Sequence, residues 1–379
     1  MLFFTLLLLS NCDGGCSNSA RDRRAYYALN NKDLKIAINF NHDESSGLLL
    51  EGAELALEEV KSILPNGKRL YAEIRSDKNN INNGIINASK VSEDMSVIAV
   101  LGHETSNISV PASAIYEYSG ILMMNPYATS SDLLENGYEF IFRTIPSDEA
   151  IANSLLDYFQ QEDLGKIVIC YESSLYGLSF ANSFEKRAES IGLDIVDRVS
   201  FDIGDKREFN RIVKKWENYD YDSILFVANM PNGVNFYKVL KERGVEVPVV
   251  SGETMVEEEL LNESCSVVDG LVFPAIFSHS ENKPLVQSFV MKFRKRYKKD
   301  PDKYAAIAYD TIKLIAHAIK EGKSYLPEDI AKNLRKVKNF KGVTNTYNFG
   351  KNGELIMKNE DKIGVQKIQN GKFIHIGRY

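Results

Sequence analysis

The chain has little of what most redox, metal and nucleic-acid chemistry requires. Among its 379 residues are four cysteines and no CxxC pair, which leaves metal and dithiol chemistry without support in the sequence. Its five histidines (His42, His103, His279, His317 and His375) never adopt the i, i+4 spacing that two ligands on one helix face need. A formal net charge of −6, with no basic face beyond the short run 292–299, argues against a nucleic-acid partner. No apolar strand-like run is followed by GxGxxG, nor by GxxxxGK and a hydroxyl residue, so a nucleotide-dependent enzyme has no phosphate loop. No motif places a Ser-His-Asp or Cys-His set either, and the chain reads as a non-enzyme with no cofactor.

The N-terminus is apolar but short. MLFFTLLLLSNC carries an apolar stretch of about eight residues, below the length that spans a bilayer, followed by small residues as in an export signal. Leu9-Ser10-Asn11-Cys12 resembles a bacterial lipoprotein processing box, which implies a lipid on Cys12; a plain cleaved signal is the alternative. The polar segment from Asp13 to Asp33 reads as a flexible tether. Cys16, Cys170 and Cys265 are then left as an odd set, with Cys170 expected as a small apolar residue inside a strand.

What the chain does have is a regular alternation of apolar runs and helical stripes. Leu34 to Phe40, Leu70 to Ile74, Val97 to Leu101 and Ile121 to Met124 have the length and β-branched content of buried strands. Between them, Leu49, Ala53, Ala56, Leu57 and Val60 mark a helix face, as does the stretch from Asn80 to Val91. After Thr144-Ile145-Pro146 the pattern restarts with strands at 166–171, 195–201, 223–227 and 247–250 separated by helices. Such alternation predicts α/β architecture with two doubly wound parallel-sheet lobes, whose ligands bind at the carboxyl ends of the strands. Turn-linked strands at 346–349, 363–368 and 373–376 read as a terminal β-extension.

One stretch draws attention within that frame. Val97 to Leu101 runs through a small polar turn into a helical pattern beginning near Ser106, so unpaired N–H groups of a helix start point off a strand end. With the hydroxyls of Thr105 and Ser106, that corner suits a carboxylate or phosphate oxygen. The next strand runs into Asn125-Pro126-Tyr127-Ala128-Thr129, which faces the same crevice; hydroxyls that merely cap an ordinary helix are the alternative.

The succession of signal and two doubly wound lobes resembles a type I periplasmic solute-binding protein, and most nearly the branched-chain amino-acid (Leu/Ile/Val) binding branch of ABC importers. Its carriers are Glu51-Gly52-Ala53-Glu54-Leu55-Ala56, Gly102-His103 with Ser106, Pro111-Ala112-Ser113, Gly120-Ile121-Leu122-Met123, Pro126 with Ala128-Thr129, Arg143-Thr144, Tyr176-Gly177 and Asp269-Gly270. The resemblance implies lobe 1 at 34–145 plus 275–343 and lobe 2 at 146–274 plus 344–379, joined by a multi-crossing hinge, with 1–33 as signal and tether. It implies that Ser106, Thr129 and neighbouring N–H groups take the ligand's carboxylate. The carbonyl of Tyr127 and the carboxylate of Glu253 take the ammonium, and Tyr176 comes from the second lobe. The alternatives are a solvated loop acid for Glu253 and, for Tyr176, a helix start packing on its own lobe.

Some positions depart from the family. The loop 39–47 is short, with Ser45 or Ser46 where an aromatic often closes the site, Asn229 replaces another aromatic, and Tyr127 replaces a small residue. Tyr304 matches an aromatic lining position but also fits its helix's apolar stripe. The resemblance therefore implies a hinge-closing extracytoplasmic receptor, lipid-anchored to a bacterial membrane, that delivers an amino acid or related amide or acid to ABC permease subunits. Sensing for a signalling partner without transport is the alternative. A sugar-responsive repressor, which shares the lobes, would need a DNA-binding headpiece instead of an export signal.

Overall fold

The computed structural model describes residues 19–41, 47–202, 204–230, 232–255, 268–358 and 362–378. Its first helix, α1 (Ala20–Asn30), leads into β1 (Asp33–Phe40), α2 (Leu49–Val60), β2 (Arg69–Ser76), α3 (Ile81–Glu93) and β3 (Val97–Gly102). The same alternation continues through α4 (Ser106–Ser119), β4 (Leu122–Asn125), a single turn α5 (Asp132–Glu135) and β5 (Ile141–Arg143). All of β3 is buried, as a strand covered on both faces must be. These strands form a parallel sheet in the order β2-β1-β3-β4-β5.

The second unit repeats the walk with α6 (Asp148–Gln161), β6 (Lys166–Glu172), α7 (Leu175–Ser190), β7 (Asp194–Phe201), α8 (Lys206–Trp216), β8 (Ser223–Val227), α9 (Asn232–Glu242), β9 (Val249–Ser251) and β10 (Val272–Ala275). Three helices then return to the first lobe: α10 (Pro284–Tyr297), α11 (Lys303–Gly322) and α12 (Pro327–Leu334). A small ribbon, β11 (Phe340–Lys341) and β12 (Thr346–Tyr347), precedes the hairpin of β13 (Gly364–Gln369) and β14 (Lys372–Arg378). That hairpin joins the second sheet antiparallel beside β10, giving the order β14-β13-β10-β9-β8-β6-β7. Among the described residues, no helix is long and apolar enough to cross a membrane.

Local chemistry explains the boundaries. Ser147, Ser174 and Asp302 each accept an N–H from the first turn of α6, α7 and α11, satisfying donors that the helix itself leaves unpaired. Because Ser174 does this, α7 starts at Leu175, directly after the end of β6 and its short turn. The small residues of 51–56 have a packing reason: a Cβ on Gly52 would lie 2.1 Å from the Ala305 carbonyl oxygen, so α2 and α11 meet backbone to backbone. Cys170 is buried in β6, where its thiol, pushed up by burial, is an apolar filler.

Two expectations are corrected. Residues 20–30 are helix instead of tether, fastened by polar bonds: buried Arg24 donates to the carbonyls of Ser92 (2.8 Å) and Asp94 (3.0 Å), while Lys68 Nζ donates to those of Leu29 (2.9 Å) and Asn31 (2.8 Å). The boundary at 344 also moves. Tyr347, Phe349 and Leu355 belong to the core of the first lobe, where Phe349 meets Phe142 edge-on at 5.4 Å, and Met357 packs against the cores of both lobes. Residues 347–355 thus belong with the first lobe. Cys12, Cys16, Cys265, Ser45 and Ser46 lie outside the described residues.

Candidate binding cleft

Both sheets change direction of winding beside their first strand, between β1 and β3 in one and between β6 and β8 in the other. Crevices at the carboxyl ends of strands open at such points. The two crevices face each other across a cavity of about 320 Å³.

On the first lobe, β3 delivers the chain to a turn that Asn125 holds in place. The Asn125 amide donates to the Gly102 carbonyl (3.0 Å) and Ser109 Oγ (2.8 Å), while its oxygen accepts the N–H groups of Tyr127 (2.8 Å) and Ala128 (2.6 Å). Beneath the turn, buried His103 bridges Asp77 (Nδ1 to Oδ2, 2.7 Å) and the Tyr116 hydroxyl (Nε2, 3.0 Å). Helix α4 then opens at Ser106, and its N-cap Thr105 makes no capping hydrogen bond with its side chain. Thr105, Ser106 and Asn107, at the start of a 14-residue helix, line the cavity and make it a donor-rich corner with positive dipole character.

The second lobe presents acceptors. Glu253 follows β9, is 3 % exposed, and takes the Tyr176 hydroxyl on Oε2 at 3.1 Å. That approach needs Gly252, since a Cβ there would lie 2.1 Å from the Tyr176 oxygen. Burial raises the Glu253 carboxyl above its ordinary range, and the charge of Lys303 opposes the rise. Lys303 reaches across from α11 to donate to the Glu253 carbonyl at 2.6 Å. Glu172, ending β6, accepts both the N–H and the side-chain amide of Asn229 on Oε2, each at 3.0 Å. Behind Glu253 sits Asp148, fully buried, with neither oxygen in a normal hydrogen bond; burial and then the charge of Glu253 push it up to about 7.

Thr105, Ser106, Tyr127, Tyr176, Asn229, Glu253 and Tyr304 all line this cavity, with the rings of Tyr127 and Tyr304 packed at 4.9 Å. Ala128 and Thr129 do not. The Ala128 carbonyl accepts from Arg143 at 3.1 Å, and the buried Thr129 hydroxyl is turned toward Asp148, which removes it from the wall. Glu104, Glu172, Asn107 and Lys303 line the cavity without having been singled out beforehand. The signal for Glu172 was present, as the acid closing a strand just ahead of the Tyr176 helix start. Across the mouth, the Leu175 N–H donates to Asn107 Oδ1 at 2.9 Å and ties one lobe to the other.

Residues 43–369 match the family described as periplasmic binding protein. The Leu/Ile/Val-binding protein homolog 1 of Brucella suis is 25 % identical over 331 residues, covering 86 % of this chain and 87 % of that one. The leucine-, isoleucine-, valine-, threonine-, and alanine-binding protein of Pseudomonas aeruginosa is 27 % identical over 310 residues, covering 80 % and 81 %. Among solved structures, the ABC transporter substrate-binding protein of Desulfitobacterium hafniense in complex with Leu superposes with a TM-score of 0.81 at 30 % identity, over 91 % of this chain and all of that one. Two like-wound lobes, a cleft at their facing strand ends and a family match across most of the length lead to one conclusion: the chain belongs to the periplasmic binding protein family.

Proposed function

We propose that the chain is the extracytoplasmic receptor of an ABC importer and binds a free amino acid between its lobes. The observation that supports this reading is the meeting of a donor corner at Ser106 with a buried acceptor at Glu253 inside one cavity, since a zwitterion needs both ends matched. In this reading the α-carboxylate lies on the start of α4 with the hydroxyls of Thr105 and Ser106, and the ammonium takes the carboxylate of Glu253 and the Tyr127 carbonyl. Tyr176 orients Glu253 through its hydroxyl. A positive ligand group also favours the ionised form of a carboxyl that burial otherwise disfavours.

Contacts made only when the lobes are together favour the closed form, so the solute shifts the population toward closure and an importer recognises the closed surface. Relatives named for binding leucine, isoleucine and valine support an amino acid as the class of solute. A lipid on Cys12 would hold the receptor at the membrane while the lobes remain in water. A thermal-shift screen of the purified protein against the twenty amino acids tests the reading. At least one should raise the melting temperature in proportion to the logarithm of its concentration. A screen in which none does so removes the proposed solute class.

A further inference from the structure

The zwitterion accounts for Ser106 and Glu253 but leaves another part of the wall unexplained. Glu172 is half-buried at the end of β6, lines the cavity, and pairs with no cation among the described residues. Its Oε2 accepts both the N–H and the side-chain amide of Asn229. A carboxylate only accepts, so the side of the Asn229 amide turned to it is the nitrogen, and the amide oxygen faces away from Glu172. Glu172 Oε1 takes no hydrogen bond from the described residues, and Glu172 and Asn229 line the same cavity. Glu253, the acid assigned to the ammonium, belongs to a separate strand end, after β9.

The remaining wall suits a long stem. Ile81, Ile145 and Met230 add apolar surface to the Tyr127–Tyr304 pair, so methylene groups can lie on the wall while a polar tip reaches the acids. A branched aliphatic side chain would instead bury against Glu172 and Asn229, stripping water from acceptors it cannot bond. We propose, resting on the amino-acid reading above, that the cleft selects an amino acid whose side chain ends in a cation, an ammonium or guanidinium held by Glu172 and Asn229. Charge follows the same assignment. The α-carboxylate meets the helix start, the α-ammonium meets Glu253, and the second cation meets a second carboxylate, so each ionised group of the ligand is compensated.

Calorimetric titration of the purified protein with L-arginine, L-lysine, L-glutamine, L-leucine and L-isoleucine tests this. Arginine or lysine should bind at least about tenfold tighter than leucine, isoleucine and glutamine. Glu172→Gln, which keeps an oxygen for Asn229, should weaken the cationic ligand about 10- to 100-fold and change leucine by less than about threefold. Asn229→Leu should narrow the same gap between arginine and leucine, and thermal melts of both variants establish that each is folded. Leucine or isoleucine binding as tightly as the cations overturns the side-chain assignment while the amino-acid receptor stands, and so does glutamine ahead of both cations. Binding of none of the five, together with a silent screen of all twenty, overturns the receptor reading itself.

Discussion

The two sheets follow one winding path, β2-β1-β3-β4-β5 and β7-β6-β8-β9-β10, yet they bring opposite chemistry to the cleft. Where β3 ends, the first lobe offers hydroxyls and a helix start. At the matching end of β8 the second lobe offers Asn229, already bonded to Glu172. Glu253 adds a second acid to that wall, and Asp148 lies buried behind it, off the cavity. The winding decides where side chains converge, and single residues at the strand ends decide what is received there.

The largest way to test that asymmetry is to remove its deepest acid. The Asp148 carboxyl is raised from its ordinary 3.8 to about 7, so the folded protein holds a proton that the unfolded chain has released. Its contribution to stability is full below about pH 4 and is lost as pH rises through about 7. Asp148→Asn does not titrate, so its stability relative to the parent should climb across that window by at most ~4 kcal/mol. Urea unfolding at intervals from pH 4 to 8 measures this, and a difference that stays level with pH would mean the second lobe holds no such acid.

Next in size is Glu253→Gln, which keeps the shape and the Tyr176 contact but removes the charge. An amino acid should lose about 100-fold in affinity, ~2.7 kcal/mol, whereas its des-amino analogue should be nearly unaffected. Equal losses for both ligands would make Glu253 a structural acid. On the opposite side, Ser106→Ala should cost about tenfold for the amino acid and its des-amino analogue alike, and nothing for the corresponding amine without a carboxylate. If the amine also suffers, the donor corner does not hold the carboxylate, and the two sides are less distinct than their residues suggest.

Strand and helix positions were legible because burial on both faces leaves uninterrupted apolar runs such as 97–101 and 223–227, and amphipathic helices leave stripes such as Phe209, Ile212, Val213 and Trp216. Of the residues of the cleft, Ser106 was legible where a strand end meets a helix start, whereas Tyr176 and Glu253 came from the family resemblance. What escaped notice depends on distant partners. Helix α1 buries only Arg24 and Ala28 and is fastened through Arg24 and Lys68, bonds that span 37 to 70 positions of chain and leave no periodic trace. The same holds for 344–357, whose aromatic residues read as an extension until Phe142 is found opposite Phe349. Thr129 was misplaced because a hydroxyl after a strand end looks the same in sequence whether it turns to the cavity or, as here, toward Asp148.

The smallest expected effect separates the grip of the lobes on each other from their grip on a ligand. Asn107 stands one residue beyond Ser106, and its Oδ1 accepts the Leu175 N–H from the opposite lobe at 2.9 Å. Opening the lobes would break this bond, so it stabilises only the closed arrangement and carries no information about either end of the solute. Asn107→Ala removes a single neutral hydrogen bond, about 0.5–1.5 kcal/mol, so affinity should fall about two- to tenfold and by the same factor for every ligand. Amino acid, des-amino acid and amine should therefore move together, unlike in Ser106→Ala or Glu253→Gln. A ligand-dependent response, measured by the same titrations, would mean that Asn107 touches the solute, and the donor corner would then extend one residue further along α4.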